Sequence, residues 1–292
     1  MNGKKNLSIL YVVIAALLWG SNGIFVNYLV DSGLDSFERT SLRLIIAFLL
    51  ETMYFIFRKE KQVPKGKDLF MFMLAGVLGV FGFATTYTLC INRVGMSVAG
   101  VLIYLMPIFV LIYSCLFKKE KISVLNIAAM IVNLLGCGLV SGIMTGSIAD
   151  PSGIIIGVIC AGFYAVNNIV ISEMKAYDVF SRMYYQILFA ALASIIYLCL
   201  FSDPLKIITA ISLKPDILLI SFLWAVCCTI CTFYLFNKAL KYINVTQASI
   251  ISSFELVFAF IFGVVLFHEP YDMNMIIGAL LATASIIVLN LK

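Results

Sequence analysis

Apolar residues run along this chain in blocks of about twenty, the length that crosses a bilayer core as a helix. The blocks fall at 7–30, 37–57, 69–91, 97–117, 123–143, 153–173, 180–201, 217–238, 246–267 and 272–290. Each predicts a spanning α-helix, because lipid offers backbone N–H and C=O groups no partner and a single segment satisfies them only by coiling. Strands of a barrel would alternate polar and apolar residues, and these blocks do not. Pro64, Pro151, Pro204, Pro215 and Pro270 stand in the gaps as breakers. Pro107 stands inside the fourth block, where its ring removes one backbone bond and frees the carbonyl near Ile103.

Composition agrees. The chain of 292 residues is 63% apolar and 12% charged, against about 45–50% and about 25% in soluble domains. That excess excludes a soluble enzyme, a nucleic-acid-binding protein and a disordered chain. Lys4 and Lys5 before an apolar run imitate a signal peptide, but the run is too long and nine more follow, so it reads as the first span. The eight cysteines (Cys90, Cys115, Cys137, Cys160, Cys199, Cys227, Cys228, Cys231) all lie in apolar blocks, as small packing residues do. Cys228 and Cys231 have CxxC spacing without a second ligand pair, and His268 is the single histidine, so no metal site is expected. No HExxH, GxSxG or Walker loop occurs, so no enzyme chemistry and no cofactor are expected.

The placement of charge sets an orientation. With a cytoplasmic N-terminus, the inside segments hold fifteen basic residues: Lys4, Lys5, Arg58, Lys59, Lys61, Lys65, Lys67, Lys118, Lys119, Lys121, Lys175, Arg182, Lys238, Lys241 and Lys292. The outside segments hold Arg39, Arg93, Lys206 and Lys214. Positive residues stay inside, so both termini are expected in the cytoplasm.

The chain also repeats itself. At an offset of 149, Ala99 meets Ala248, Phe109 meets Phe258, Ile112 meets Ile261, Glu120 meets Glu269 and Ile127 meets Ile276, with Ser97 opposite Thr246. Nearer the start the offset shortens: Asn22 meets Asn167, Trp19 faces Tyr164, Phe37 meets Phe180, Arg39 meets Arg182 and Ala47 meets Ala190. Five helices per half is an odd number, so the second half starts from the opposite side. Loop 118–121 is basic while its counterpart 268–270 is not. The expected fold is therefore all-α integral membrane, ten helices as two inverted five-helix repeats, 1–150 and 151–292. Such repeats interconvert two asymmetric states around a midplane site. A monomer is sufficient and a dimer is allowed.

Ionisable residues at membrane depth cost at least ~2.5 kcal/mol and require a reason. Glu255 lies about nine residues into the ninth block, ~14 Å deep at ~1.5 Å per residue. Its helical stripe is small and polar: Ala248, Ser252, Ala259 and Gly263. It reads as a substrate or proton site, or as a structural carboxylate. Arg43 reads as a partner for Glu255, a binder of an anionic group, or a helix-positioning residue. Glu51 reads as snorkelling toward Arg58 and Lys59, or as a functional group. Trp19 with Asn22, Tyr164 with Asn167, and Tyr234 with Asn237 each sit one turn apart on one face, and Tyr87 and Tyr104 are mid-helix phenols. Together with Glu255 these are the expected substrate-binding residues, and Arg43, Glu255 and Pro107 the expected coupling and gating residues. Gly76, Gly79, Gly82, Gly138-xxx-Gly142 and Gly153-xxx-Gly157 are expected as close helix contacts.

These residues resemble a known pattern. Ala16-Leu17-Leu18-Trp19-Gly20-Ser21-Asn22 is similar to the first-helix motif of EamA-type members of the drug/metabolite transporter superfamily. Arg43 in Arg43-Leu44-Ile45-Ile46-Ala47 resembles the second-helix arginine of that family. The run Ser97–Glu120 with Pro107 resembles its fourth helix, and Ala239-Leu240-Lys241-Tyr242 followed by Glu255 and Glu269 its eighth-to-ninth segment. The family often has Glu-Pro in helix nine. Leu256 follows Glu255 here, so the resemblance gives a proline kink in span 4 only. It implies ATP-independent, alternating-access movement of a small metabolite, such as an amino acid or related amine, across the cell inner membrane. Export, with proton coupling through Glu255, is the expected mode. An importer of quaternary amines and a membrane-embedded protein without transport are the competing readings. Spans 1, 3, 4, 6, 8 and 9 are expected to line the cavity, with spans 5 and 10 peripheral.

Overall fold

The computed structural model describes residues 2–119, 123–140, 150–268 and 271–290. The Glu120–Glu269 pair, Lys121, Gly142, Pro270 and Lys292 lie outside them, as do the side chains of Ser97 and Cys137. Apart from the connections the described residues are helical, with no strand among them. Seven runs are long and apolar enough to cross a membrane: Lys4–Tyr28, Ser36–Phe57, Lys67–Val94, Pro151–Glu173, Val179–Phe201, Asp216–Ala239 and Val245–Phe267. They coincide with expected spans 1, 2, 3, 6, 7, 8 and 9. The fourth and fifth blocks carry shorter apolar helices, Met106–Lys118 and Val124–Gly136.

In chain order the helices are α1 (Asn2–Gly20), α2 (Asn22–Tyr28), α3 (Ser36–Phe57), α4 (Lys67–Leu74), α5 (Phe83–Ile103), α6 (Met106–Lys118), α7 (Val124–Val140) and α8 (Pro151–Glu173). Then follow α9 (Val179–Phe201), α10 (Pro204–Leu213), α11 (Asp216–Ala225), α12 (Thr232–Ala239), α13 (Val245–Ser252), α14 (Glu255–Phe267) and α15 (Met273–Asn290). Helix α10 was not expected. Pro204, read as a breaker, opens it instead: proline is at home in a first turn, and Asp203 caps the helix by accepting from Leu205 N at 3.0 Å.

The turn between spans 3 and 4 lies inside α5. A Cβ on Gly157 of α8 would press on both Leu102 and Cys90 Sγ. In a straight helix those two residues would stand about 18 Å apart, so the run doubles back between them.

Local devices recur between the halves at fixed offsets. Span 3 loosens into a π-helical stretch at Ala75–Gly82, and span 8 does so at Val226–Cys231, an offset of 151 between their first residues. At an offset of 149, α6 begins at Met106 and α14 at Glu255, each after a two-residue break. At the same offset, Lys119 and His268 end those helices in the left-handed region, at φ 51° and 53°. Asp35 caps α3 by accepting from Phe37 N and Glu38 N, and Asp178 caps α9 by accepting from Phe180 N and Ser181 N, an offset of 143.

Span 9 breaks as span 4 does, but no proline is involved. Ser252 Oγ donates to Ser249 O at 2.9 Å and Ser253 Oγ to Ile250 O at 2.6 Å. Serine hydroxyls that turn back on the preceding helical turn compete with its backbone bonds and bend it.

Helix packing follows the same exchange of halves. Helix α1 packs on α12 and α14, while α8 packs on Ala75–Gly82 and α6. Helices α3 and α9 lie together, and α7 and α15 pack almost wholly on one another at the side. Lys4 lies over the Tyr242 ring and Lys238 over that of Tyr11, so α1 and α12 run antiparallel from one end of the bundle. That basic end is tied across by Arg58–Asp178 at 2.7 Å and by Lys118 to Glu173. The far end carries Lys206–Glu38 at 2.8 Å and Arg93–Asp150 at 3.7 Å.

Glycines set the closest approaches. A Cβ on Gly76 would stand 2.5 Å from Gln186 O, and one on Gly79 2.5 Å from Asn167 Cβ. A Cβ on Gly20 would stand 2.7 Å from Phe258 Cβ and 2.8 Å from Glu255 O.

Candidate functional site

Span 1 breaks at Ser21, where the helix passes from α1 to α2. The π stretches bulge span 3 and span 8 at the same depth. A π-bulge is often found at functional sites because it re-aims side chains that an ordinary helix would point elsewhere. Around these breaks the helices leave about 550 Å³ of space not filled by atoms, part of it open to the surroundings. Its walls are Trp19, Asn22, Arg43, Leu44, Gly79, Val80, Phe83, Ala84, Tyr164, Asn167, Cys228, Thr229, Phe233 and Glu255.

Six expected site residues meet there: Trp19, Asn22, Arg43, Tyr164, Asn167 and Glu255. The phenol of Tyr87 lies just outside, stacked on Phe83 at 6.0 Å, and both it and Tyr164 are within electrostatic reach of Glu255. Four others stand elsewhere. Tyr104 is buried at the break before α6, and Pro107 is buried in the first turn of α6. Tyr234 accepts from Lys238 Nζ at 3.2 Å near the basic end, beside Phe180. Asn237 is buried, with Nδ2 donating to Phe233 O at 2.8 Å. Helical spacing places a residue on a face but not against a particular neighbour, and these four face other helices.

Arg43 is the organising cation. It does not pair with Glu255: four ion pairs form among the described residues, and neither group is in any of them. Its guanidinium lies 4.5 Å from the centroid of the Trp224 ring, and Nη1 donates to Asn22 Oδ1 at 3.3 Å. Trp224 Nε1 donates to the same oxygen at 2.6 Å. Arg43 Nε is buried without a partner among the described residues, as is Asn167 Oδ1. Buried polar atoms left unpaired cost about 1–3 kcal/mol each, and the residues of both line the cavity. Trp224 escaped sequence reasoning, although one of only two tryptophans deep in an apolar block was signal enough to single it out.

Glu255 begins α14 beyond the break and is half-buried at the cavity wall. Its counterpart at the offset of 149 is Met106, fully buried and 3.2 Å from Asn168 Nδ2. The acid therefore belongs to one half alone. Glu51 corrects another expectation. It does not reach Arg58, which bonds Asp178. It is buried on the α3 face shared with Phe48 and Phe55, whose rings stack on Tyr184, and neither carboxylate oxygen has a hydrogen-bond partner among the described residues. The seven described cysteines are all unpaired. Among the described residues no three His, Cys, Asp or Glu side chains gather as a metal site would require.

A helical bundle with a polar, aromatic cavity at the breaks of its helices defines a multi-pass membrane protein of transporter type. The chain belongs to the EamA-like transporter family, whose model matches it twice, over residues 6–142 and 151–291. It is 24% identical over 296 residues to the "Uncharacterized inner membrane transporter YicL" of Salmonella typhimurium, covering 99% of this chain and 97% of that one. It is 26% identical to an "Uncharacterized transporter" of Archaeoglobus fulgidus, over 95% of this chain and 94% of that one. It is 23% identical to human "Solute carrier family 35 member G1", over 96% of this chain and 77% of that one. A crystal structure at 18% identity superposes with a TM-score of 0.76 over 97% of this chain and 98% of the other, and shares its fold.

Proposed function

We propose that this transporter moves a small zwitterionic or amine-bearing organic solute, such as an amino acid, outward across the cytoplasmic membrane, without ATP and with proton coupling at Glu255. The observation that carries this reading is one cavity holding an acid, a base and two amides between aromatic walls. Glu255 and the faces of Trp19, Tyr164 and Phe233 attract an ammonium group. Arg43, with Nε unpartnered, and Asn22 offer donors to a carboxylate.

The halves 1–150 and 151–292 are read as inverted repeats that rock about this cavity. Repeated kinks and caps at fixed offsets support that reading, as does the unequal charge of corresponding loops. The excess of basic residues at one end supports cytoplasmic termini, and the name of the Salmonella relative supports an inner membrane. The solute and the bilayer are the only partners required, and a monomer suffices.

Counterflow in proteoliposomes with a panel of amino acids, amines and quaternary amines tests the proposal. Zwitterions are expected to exchange, faster with an imposed pH gradient, and Glu255→Gln to abolish that dependence. Exchange of quaternary amines alone would make the protein an amine importer. If no solute moves while ligands still raise the melting temperature, the protein binds but does not carry.

A further inference from the structure

Two arginines at matching positions of the halves hold unequal sets of bonds. Arg182, near the start of α9, is fully buried and faces no carboxylate at bonding distance. Its Nη1 donates to Ile171 O at 3.2 Å and its Nη2 to Asn237 O at 2.7 Å. Both acceptors lie two residues before the end of their helices, α8 and α12. The last carbonyls of a helix have no partner within it and carry the negative end of its dipole. One cation thus fastens the ends of spans 6 and 8 to the start of span 7.

Arg39 stands near the start of α3, at the offset of 143. Its Nη1 donates to Val26 O at 3.4 Å, again two residues before a helix end, that of α2. Val26 corresponds to Ile171 at the offset of 145 that joins Asn22 to Asn167. So the first bond is present in both halves. The second is not. Past the π stretches α5 begins at Phe83 and α12 at Thr232, an offset of 149, so the counterpart of Asn237 is Thr88. Its hydroxyl donates to Ala84 O at 3.1 Å as Asn237 Nδ2 donates to Phe233 O, each four residues back. Arg39 does not take the Thr88 carbonyl. Its remaining donors go to Asp35 O and Ser36 Oγ beside it, and it is half-exposed.

From this inequality we propose that Arg182 and Arg39 are alternating latches of the transport cycle: the bond of Arg182 to Asn237 O closes the basic end, and its release is matched by a bond of Arg39 to Thr88 O that closes the far end. The bonds to Ile171 and Val26 are permanent anchors, and the bonds to Asn237 and Thr88 exchange. The structure is then the state closed at the basic end. The proposal rests on the reading of two halves that interconvert, and it adds which residues hold each state.

Hydrogen–deuterium exchange of the full chain in nanodiscs tests it, beside flux in proteoliposomes. In Arg182→Gln, exchange is expected to rise at 171–178 and 237–244 and to fall at least about five-fold at 24–30, the low end of ordinary conformational coupling. A merely structural clamp would loosen its own end and leave 24–30 unchanged, and that result overturns the proposal. Arg39→Gln, a change at a half-exposed side chain, covers the case in which the buried variant does not fold. It is expected to slow flux at least about five-fold and to deepen protection at 237–244. Flux and exchange equal to those of the unaltered chain would overturn the proposal equally. If the unaltered chain carries no solute but the reciprocal exchange appears, the latches stand and the carrier reading falls.

Discussion

Arg43 and Trp224 meet on one oxygen. The indole Nε1 donates to Asn22 Oδ1 at 2.6 Å, the guanidinium donates to it at 3.3 Å, and the cation lies 4.5 Å from the centroid of the indole ring. Spans 1, 2 and 8 are thereby joined at the wall of the cavity. The arrangement fixes Arg43 without a carboxylate, so its charge stays available to a ligand.

Trp224→Phe keeps a ring beneath Arg43 and removes the donor to Asn22. A loss of about 1–2 kcal/mol of stability is expected, one buried hydrogen bond to a neutral acceptor. KM is expected to rise several-fold with kcat little changed, since Arg43 and Asn22 are no longer held in place. Thermal unfolding and initial-rate uptake measure the two effects. A lower melting temperature with unaltered KM would show that the cluster serves the fold alone.

Gly79→Ala and Gly162→Ala should move in opposite directions. At Gly79 the new methyl would stand 2.5 Å from Asn167 Cβ and 2.8 Å from its Cα, so a backbone has to yield. Overpacking of that kind costs about 1–3 kcal/mol, and it displaces Asn167 from the cavity, so flux should fall as well. At Gly162 of α8 no described atom lies within 4 Å of the added methyl, and alanine in a helix gains up to about 1 kcal/mol over glycine. Melting temperatures of the two variants, measured side by side, check the contrast.

Hydrophobic block length alone located the spans, because the bilayer imposes it. The polar pairs Trp19–Asn22 and Tyr164–Asn167 pointed to the cavity, since a buried amide demands a wet or bonded neighbour. Pro107 announced the break in span 4. The break in span 9 was hidden, because Ser252 and Ser253 look unremarkable in a small-residue stripe until their hydroxyls turn back on the helix. The π stretches were hidden too: Gly76, Gly79 and Gly82 signal close packing, not an extra residue in the turn. Tyr234 and Asn237 have the spacing of the cavity pairs but face the Arg182 end, a distinction made by tertiary neighbours and not by periodicity.

Ser253→Ala tests the kink that forms without proline. The hydroxyl donates to Ile250 O at 2.6 Å and accepts from Asn133 Nδ2 at 2.6 Å. Its removal is expected to cost about 1–2 kcal/mol and to straighten the join between α13 and α14, drawing Glu255 away from Tyr164. The pH dependence of flux should weaken although Glu255 is intact. A variant that melts lower but keeps the full pH response would show that the break is set by other contacts.

Asp178 and Tyr177 test whether the basic end contributes to that pH response. Burial alone would raise the Asp178 carboxyl, but the Ser181 hydroxyl, Arg58 and the Ser181 backbone N–H hold it below the ordinary 3.8. A carboxyl lowered on folding contributes stability above its ordinary value and loses it as pH falls through the lowered one. The Tyr177 phenol, donating to Asp68 Oδ2 at 2.7 Å, is pushed up to about 12 from an ordinary 10.0. Its contribution is complete below the ordinary value and is lost as pH rises toward the raised one. Neither group titrates between about pH 5 and pH 9. Asp178→Ala removes a helix cap and an ion pair and should cost about 1–2 kcal/mol. The shape of its flux-against-pH curve in that window should match that of the unaltered chain, whereas Glu255→Gln flattens it. A curve flattened by Asp178→Ala would move the coupling from the cavity to the closure at the basic end.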